Sequence, residues 1–127
     1  MRRIKQETEA CLSGLVVKSP TVSAEFLFPA AFIGFQGHFP GKPILPGACQ
    51  LQSVLTTIEK GAGKAVVLKE VDRAKFVTPI FPDEPVTCTV EEVSAAGDAT
   101  FKACISKGGE RVMEMKLRVS LVEGESR

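Results

Sequence analysis

Tryptophan and tyrosine are absent from this 127-residue chain, and it has a single histidine, His38. Without those two aromatics, platforms for stacking nucleobases are scarce. Sixteen basic residues against fifteen acidic ones leave a formal charge of +1, far from the basic excess that nucleic-acid binding uses. The four cysteines, Cys11, Cys49, Cys88 and Cys104, form no C-x-x-C pair, and one histidine is too few to complete a ligand set with them. They read as free thiols packed like small hydrophobes, and no metal is expected. Cys49 alone falls near the motif discussed below, with nothing to mark it as a nucleophile. Long apolar runs are missing too. The most apolar stretch, Phe26 to Phe35, is broken by Pro29 and is too short to span a bilayer. The opening Met1-Arg2-Arg3-Ile4-Lys5-Gln6-Glu7 has no apolar core of a secretory signal, so the expected location is the cytoplasm.

What remains is an ordinary globular composition, 44 % apolar and 24 % charged, at a length that suits one domain over residues 1–127. Residues 1–10 read as a short polar lead-in. Cys11 to Lys18 is apolar enough for a strand. In Thr21 to Phe28 the residues Val22, Ala24, Phe26 and Phe28 alternate, the period of a half-buried strand. Ala30 to Phe35 has room for one helical turn. A helix is expected from Pro46 to about Lys60, with Pro46 as its first residue, a buried stripe of Ala48, Leu51, Val54, Leu55 and Ile58, and Gly61 and Gly63 as stops. Strands follow over Ala65 to Thr78, Val86 to Val93, Ala99 to Ser106 and Arg111 to Val122. Pro79 to Pro85 is a turn, and the last strands are joined through Ala95-Ala96-Gly97-Asp98 and Lys107-Gly108-Gly109-Glu110. The sum is an α+β layout, one central helix against antiparallel strands.

Between the first strands and the helix lies a loop dense in glycine and proline. Phe39, Lys42 and Leu45 each precede a proline and are driven toward extended backbone, so the loop is stiff. Its far end is a helix start, where the first N–H groups have no partner within the helix. Gly47 lets a ligand approach its N–H, with the positive end of the helix dipole behind it. A thioester carbonyl placed there is polarised, as in an oxyanion hole. An imidazole nearby, His38, is suited to take a proton from the adjacent carbon.

Gly37-His38-Phe39-Pro40-Gly41-Lys42-Pro43-Ile44-Leu45-Pro46-Gly47 resembles the active-site signature of the 3-hydroxyacyl-[acyl-carrier-protein] dehydratases, the FabZ type and more distantly the FabA type. Ala74-Lys75-Phe76 and Pro79-Ile80-Phe81-Pro82-Asp83-Glu84 resemble the same family further on. The resemblance implies a hotdog fold, with a sheet wrapped around the central helix. It also implies pairing into dimers, or oligomers of dimers, whose sites draw on both subunits. It gives His38 the catalytic role and Gly47 the thioester carbonyl, with Phe39, Pro40 and Ala48 shaping the substrate site. Phe32 and Phe35, which flank the loop, become candidates for an acyl tunnel. The expected partner is an acyl carrier protein or an acyl-CoA, with Lys42, Arg73 and Lys75 as a basic rim for the acidic carrier. No cofactor is implied.

The chain departs from the family at one position. Fourteen residues after His38, where the family carries Glu or Asp supplied by the other subunit, stands Gln52. A glutamine amide can donate a hydrogen bond but not a proton. Glu59, about 10 Å further along the helix axis, is too far to replace it. Four readings stay open: a dehydratase relying on His38 with Gln52 orienting the hydroxyl; a thioesterase; a partner subunit completing a homologue's site in a heterodimer; and a non-catalytic acyl-binding protein.

Overall fold

The computed structural model describes residues 2–36, 41, 43–94 and 97–122. Its elements run α1 (Arg2–Ala10), β1 (Leu12–Lys18), β2 (Thr21–Phe26), a 3₁₀ turn (Ile33–Phe35), α2 (Gly47–Ala62), β3 (Val66–Phe76), β4 (Val86–Ser94), β5 (Ala99–Lys107) and β6 (Glu110–Leu121). The six strands form one antiparallel sheet in the order β1-β2-β4-β5-β6-β3. The sheet wraps α2, the α+β hotdog arrangement that the motif implies. The alternation in β2 continues past the strand's end: Ala24, Phe26 and Phe28 are buried. The expected strand boundaries lie within two residues of the observed ones, and the turn between β3 and β4 falls where expected. Of the β4–β5 join, Ala95 and Ala96 lie outside the described residues.

Four expectations need correction. The polar lead-in is a helix, α1. Its residues are mostly charged, but Ile4 and Thr8, one turn apart, face the core, and Arg3 and Glu7 pair at 3.1 Å on the outside. Lys5 of α1 also reaches Glu59 of α2 at 3.4 Å. Second, Pro46 is not the first helical residue but the cap before it, extended at φ −64° and ψ 154°. Third, α2 has no single buried stripe. Ala48 is exposed and Leu51 and Leu55 are only partly buried, whereas Cys49, Gln50, Ser53, Thr56 and Thr57 are buried beside Val54 and Ile58. A helix wrapped by a sheet is covered on most sides. The small polar residues tolerate this because their hydroxyls bond within the helix: Ser53 donates to the Gln50 carbonyl (2.7 Å) and Thr57 to that of Ser53 (2.8 Å).

Gly61 does not end α2 either; Gly63, in the left-handed region at φ 68°, does. Gly61 is where α2 comes closest to β2. A methyl group there would stand 2.6 and 2.9 Å from the two methyls of Val22 and 3.2 Å from its Cβ. Helix propensity alone makes Gly→Ala favourable by about 1 kcal/mol in a helix interior. Here the sign is expected to reverse: Gly61→Ala destabilises the fold by about 1–3 kcal/mol through overpacking, read as a lower urea midpoint at unchanged slope.

Candidate active site

The start of α2 is held from three directions. The buried Leu45 donates its N–H to the Ile80 carbonyl (2.8 Å), and the Gln50 side chain donates to the Leu45 carbonyl (3.2 Å). The Pro46 carbonyl accepts from the N–H groups of Cys49 and Gln50 (3.0 and 3.1 Å), the first bonds of the helix. This leaves the N–H groups of Gly47 and Ala48 with no carbonyl in the helix to bond. The helix has neither a side-chain cap nor an acidic residue in its first turn, so nothing on it neutralises the positive end of its dipole. Beside this end opens a pocket of about 390 Å³, walled by Gly47, Gln50, Ile44, Phe76, Thr78 and Pro79. Gly47 is needed for close approach: a Cβ there would lie 3.0 Å from the Phe76 ring.

Ile80 belongs to a braced turn. The Glu84 carboxylate accepts from the Phe81 N–H (2.9 Å) and from Lys107 (3.0 Å), and Lys107 also donates to the Pro79 carbonyl (3.1 Å). The Phe81 N–H, and after it Lys107, hold the Glu84 pKa below its ordinary value. Sequence inspection missed this brace, although Glu84 lay inside the motif-like turn.

Gln52 lies five residues beyond Gly47. At 3.6 residues per turn that is about 140° around the helix and about 7.5 Å along it. Within one chain the two point away from each other, and Gln52 is not among the pocket's walls. The half-buried Gln52 donates through Nε2 to the hydroxyl of the buried Thr56, 3.2 Å away. Glu59, the nearest acid along the helix, is engaged elsewhere, accepting the Val66 N–H at 3.0 Å and pairing with Lys5.

Phe32 and Phe35 are buried. Phe26, Phe28, Phe32 and Phe35 form a run of rings with successive centroids 5.7, 4.9 and 5.9 Å apart. Gly34 brings this run against α2, since a Cβ there would meet the Phe32 ring at 2.6 Å and the Cys49 sulfur at 2.7 Å. Burial raises the pKa of the Cys49 thiol, which argues against a nucleophile, and pushes that of Cys88 up to about 12. Arg73 and Lys75 are exposed and line a groove of about 660 Å³ that does not include the Gly47 end of α2. His38, Phe39, Pro40 and Lys42 lie outside the described residues, and so does Gly37.

The chain matches the ApeI-like family, described as ApeI dehydratase, over residues 16–116. It is 30 % identical over 96 residues to the 3-hydroxyacyl-[acyl-carrier-protein] dehydratase FabZ of Clostridium acetobutylicum, covering 69 % of this chain and 68 % of that one. It is 34 % identical over 88 residues to the FabZ of a Caulobacter species, covering 61 % and 53 %. The matched region thus spans between about half and two thirds of these relatives' length. Among solved structures it superposes on the dehydratase heterocomplex ApeI:P from Xenorhabdus doucetiae, with a TM-score of 0.72 and 16 % identity over 86 % of this chain and 96 % of that one. It also superposes on a hypothetical thioesterase with coenzyme A from Streptococcus pneumoniae, with a TM-score of 0.72 and 10 % identity over 99 % of both. These two likenesses concern the fold alone. The protein belongs to the hotdog dehydratases of the ApeI-like and FabZ kind.

The lowered pKa of Glu84 carries a pH dependence. A carboxylate depressed in the folded state adds stability above its unfolded pKa and loses it as pH falls through the folded value. Urea unfolding between pH 7 and pH 3 is expected to show a steeper acid loss in the native protein than in Glu84→Gln, the difference opening as the pH falls through the ordinary carboxylate range and absent near neutrality.

Proposed function

We propose that this protein binds a fatty-acyl thioester at the N-terminal end of α2 and dehydrates 3-hydroxyacyl groups to trans-2-enoyl groups, with the acyl chain carried on an acyl carrier protein. The observation that carries this is the uncapped helix start at Gly47, beside a pocket and directly after a His38-containing segment whose sequence resembles the family's active-site signature. In this reading the Gly47 N–H takes the thioester oxygen and stabilises the enolate that forms when His38 removes the Cα proton. Loss of the β-hydroxyl needs a proton. Gln52 has none to give, so the imidazolium formed in the first step returns the Cα proton to the departing oxygen, which leaves as water. Gln52 holds that hydroxyl by hydrogen bonding while Thr56 fixes the amide. Phe39, Pro40 and Ala48 shape the mouth, and Phe32 and Phe35 form the wall that the acyl chain meets.

A two-subunit site fits the geometry. Because Gln52 and Gly47 of one chain diverge around α2, a Gln52 that serves the thioester comes from a second chain. Strand β3 supplies an edge for such pairing: one side bonds β6, and Val67, Val71, Phe76 and Val77 in and after it are exposed. The same geometry supports a second reading, in which this chain lends a half-site to a homologue that carries the missing acid. Gln52 favours it.

The test is hydration of a 2-enoyl thioester on carrier protein, by the native protein, His38→Ala and Gln52→Glu. Activity in the native protein that falls by at least about 10²-fold in His38→Ala supports a dehydratase with one acid–base residue. Silence that turns into activity in Gln52→Glu supports the half-site reading. Release of free thiol in place of hydration makes the protein a thioesterase. Gly47→Ala, whose Cβ would stand 3.0 Å from the Phe76 ring, is expected to lose at least about 10-fold in kcat/KM through the crowded N–H, with the urea midpoint checking that the variant folds.

A further inference from the structure

Buried polar atoms are almost always hydrogen-bonded, so an exception calls for a physical reason. Among the described residues two buried side-chain polar atoms have no partner, Oγ1 of Thr8 and Oε1 of Gln50. Thr8 lies in α1 and walls neither pocket described above, whereas Gln50 walls the pocket at the start of α2. Gln50 is 4 % exposed. Its Nε2 donates to the Leu45 carbonyl, 3.2 Å away, so the side chain turns back along the helix and its amide lies level with the helix start, beside Gly47. Oε1 is the other arm of that amide and is directed away from the carbonyl. A leucine or methionine would fill a similar volume without an orphaned acceptor. The surrounding backbone gives Oε1 nothing. The N–H groups of Leu45, Val77 and Thr78 are bonded to Ile80 and Val112, and those of Cys49 and Gln50 to Pro46. Gly47 and Ala48 keep free N–H groups, but Oε1 accepts from neither. What Oε1 lacks is a donor, and the place left for one is the pocket.

A 3-hydroxyacyl thioester on a pantetheine arm offers donors of two kinds, the β-hydroxyl and the amide N–H groups of the arm. The oxygen of the β-hydroxyl gains negative charge as it departs and needs donors around it, so an acceptor there opposes the step. An amide N–H keeps its proton throughout. The direction of the pocket agrees. The acyl chain is assigned to the wall of Phe32 and Phe35, which Gly34 brings against Cys49, and Gln50 stands about 100° further round α2. On the Gln50 side the pocket is bounded by Phe76 and Val77, both about half-exposed. This side opens to solvent at the edge strand β3, where an arm tethered to a carrier has to enter.

We propose that Oε1 of Gln50 accepts the N–H of the arm's cysteamine amide, the amide two carbons from the sulfur, while the Gly47 N–H takes the thioester carbonyl. This rests on the proposed thioester site and adds to it a contact that the motif does not imply. The two contacts have opposite polarity, a donor for the carbonyl and an acceptor for the amide, and so fix the direction in which the arm lies. Because Nε2 also holds Leu45, an arm seated on Gln50 is tied to the residue that sets where α2 begins.

The experiment uses a hydrolysis-resistant hexanoyl-pantetheine, in which a methylene replaces the thioester sulfur, and its twin with a methylene also in place of the cysteamine N–H. Binding of each to the native protein is read by NMR titration. The twin is expected to bind about 5–10-fold more weakly. Gln50→Met is expected to lose the same factor on the first probe and to bind both probes alike. If Gln50 served only to brace Leu45, the variant would bind both probes more weakly yet still prefer the first; that result overturns the proposal. Equal binding of the two probes by the native protein, or binding of neither, overturns it too. Gln50→Leu replaces the Met variant should that fold poorly, and the native comparison alone can still overturn the proposal. Hydration of a 2-enoyl thioester reads the catalytic proposal separately: preference for the N–H probe without hydration overturns dehydration and leaves the Gln50 contact standing, and hydration without that preference does the opposite.

Discussion

Two hydrogen bonds meet at Leu45, and the position of α2 depends on them. The Leu45 N–H is spent on Ile80 and its carbonyl on Gln50, so the chain enters the helix from an extended residue, Pro46, with no freedom to wind one turn earlier. Where the helix begins decides which N–H groups are left over, those of Gly47 and Ala48, and Gly47 lines the pocket. The brace is itself supported from outside the helix, by Glu84 and Lys107 around the turn that carries Ile80. A charged pair on the surface thus sets the height of a helix terminus that has no side-chain cap of its own. These contacts fix the Leu45 end of the glycine–proline loop, which suits a site whose donors must be in place before the ligand arrives.

Burial of α2 on most sides accounts for much of the remaining chemistry. A helix in that position has little room for carboxylates, and the acid at its far end, Glu59, survives by accepting a backbone N–H and a lysine. Gln52 is held in the same manner, through Thr56. An amide costs less to bury than a carboxylate, so Gln52 eases the packing of the helix; in the proposed reading it does so at the expense of a proton for the leaving hydroxyl.

Legibility in the sequence followed the scale of each signal. The motif from Gly37 to Gly47 and the alternation of Val22, Ala24, Phe26 and Phe28 are local patterns, and both pointed to the right architecture. Helix α1 escaped notice because its core contacts are few, Ile4 and Thr8, set among charges. The buried face of α2 was misjudged because Ser53, Thr56 and Thr57 read as polar, while their burial depends on hydrogen bonds inside the helix that composition does not show. Lys102, Lys116 and Arg73 fall into one row across the sheet although far apart in the chain, and only strand register reveals it. The same is true of the divergence of Gln52 from Gly47, which needs a helix phase and not a motif.

Strand β3 departs from simple alternation in two places. Its pairing with β6 slips between Leu68 and Glu70 and again between Val71 and Arg73. Each slip inserts a residue and reverses which face the next one takes: Val71 pairs with the buried Leu117, and two positions on Arg73 pairs with Lys116 of the opposite face. In evolutionary terms this makes β3 a reading frame. Loss of the regularly paired Ala74, past the second slip, would leave every remaining side chain chemically unchanged, yet turn Lys75 toward α2 and Phe76 toward solvent. Point substitutions along the strand can drift, and a slip residue such as Asp72 can be lost without disturbing the register of the rest, but loss of a paired residue cannot be absorbed.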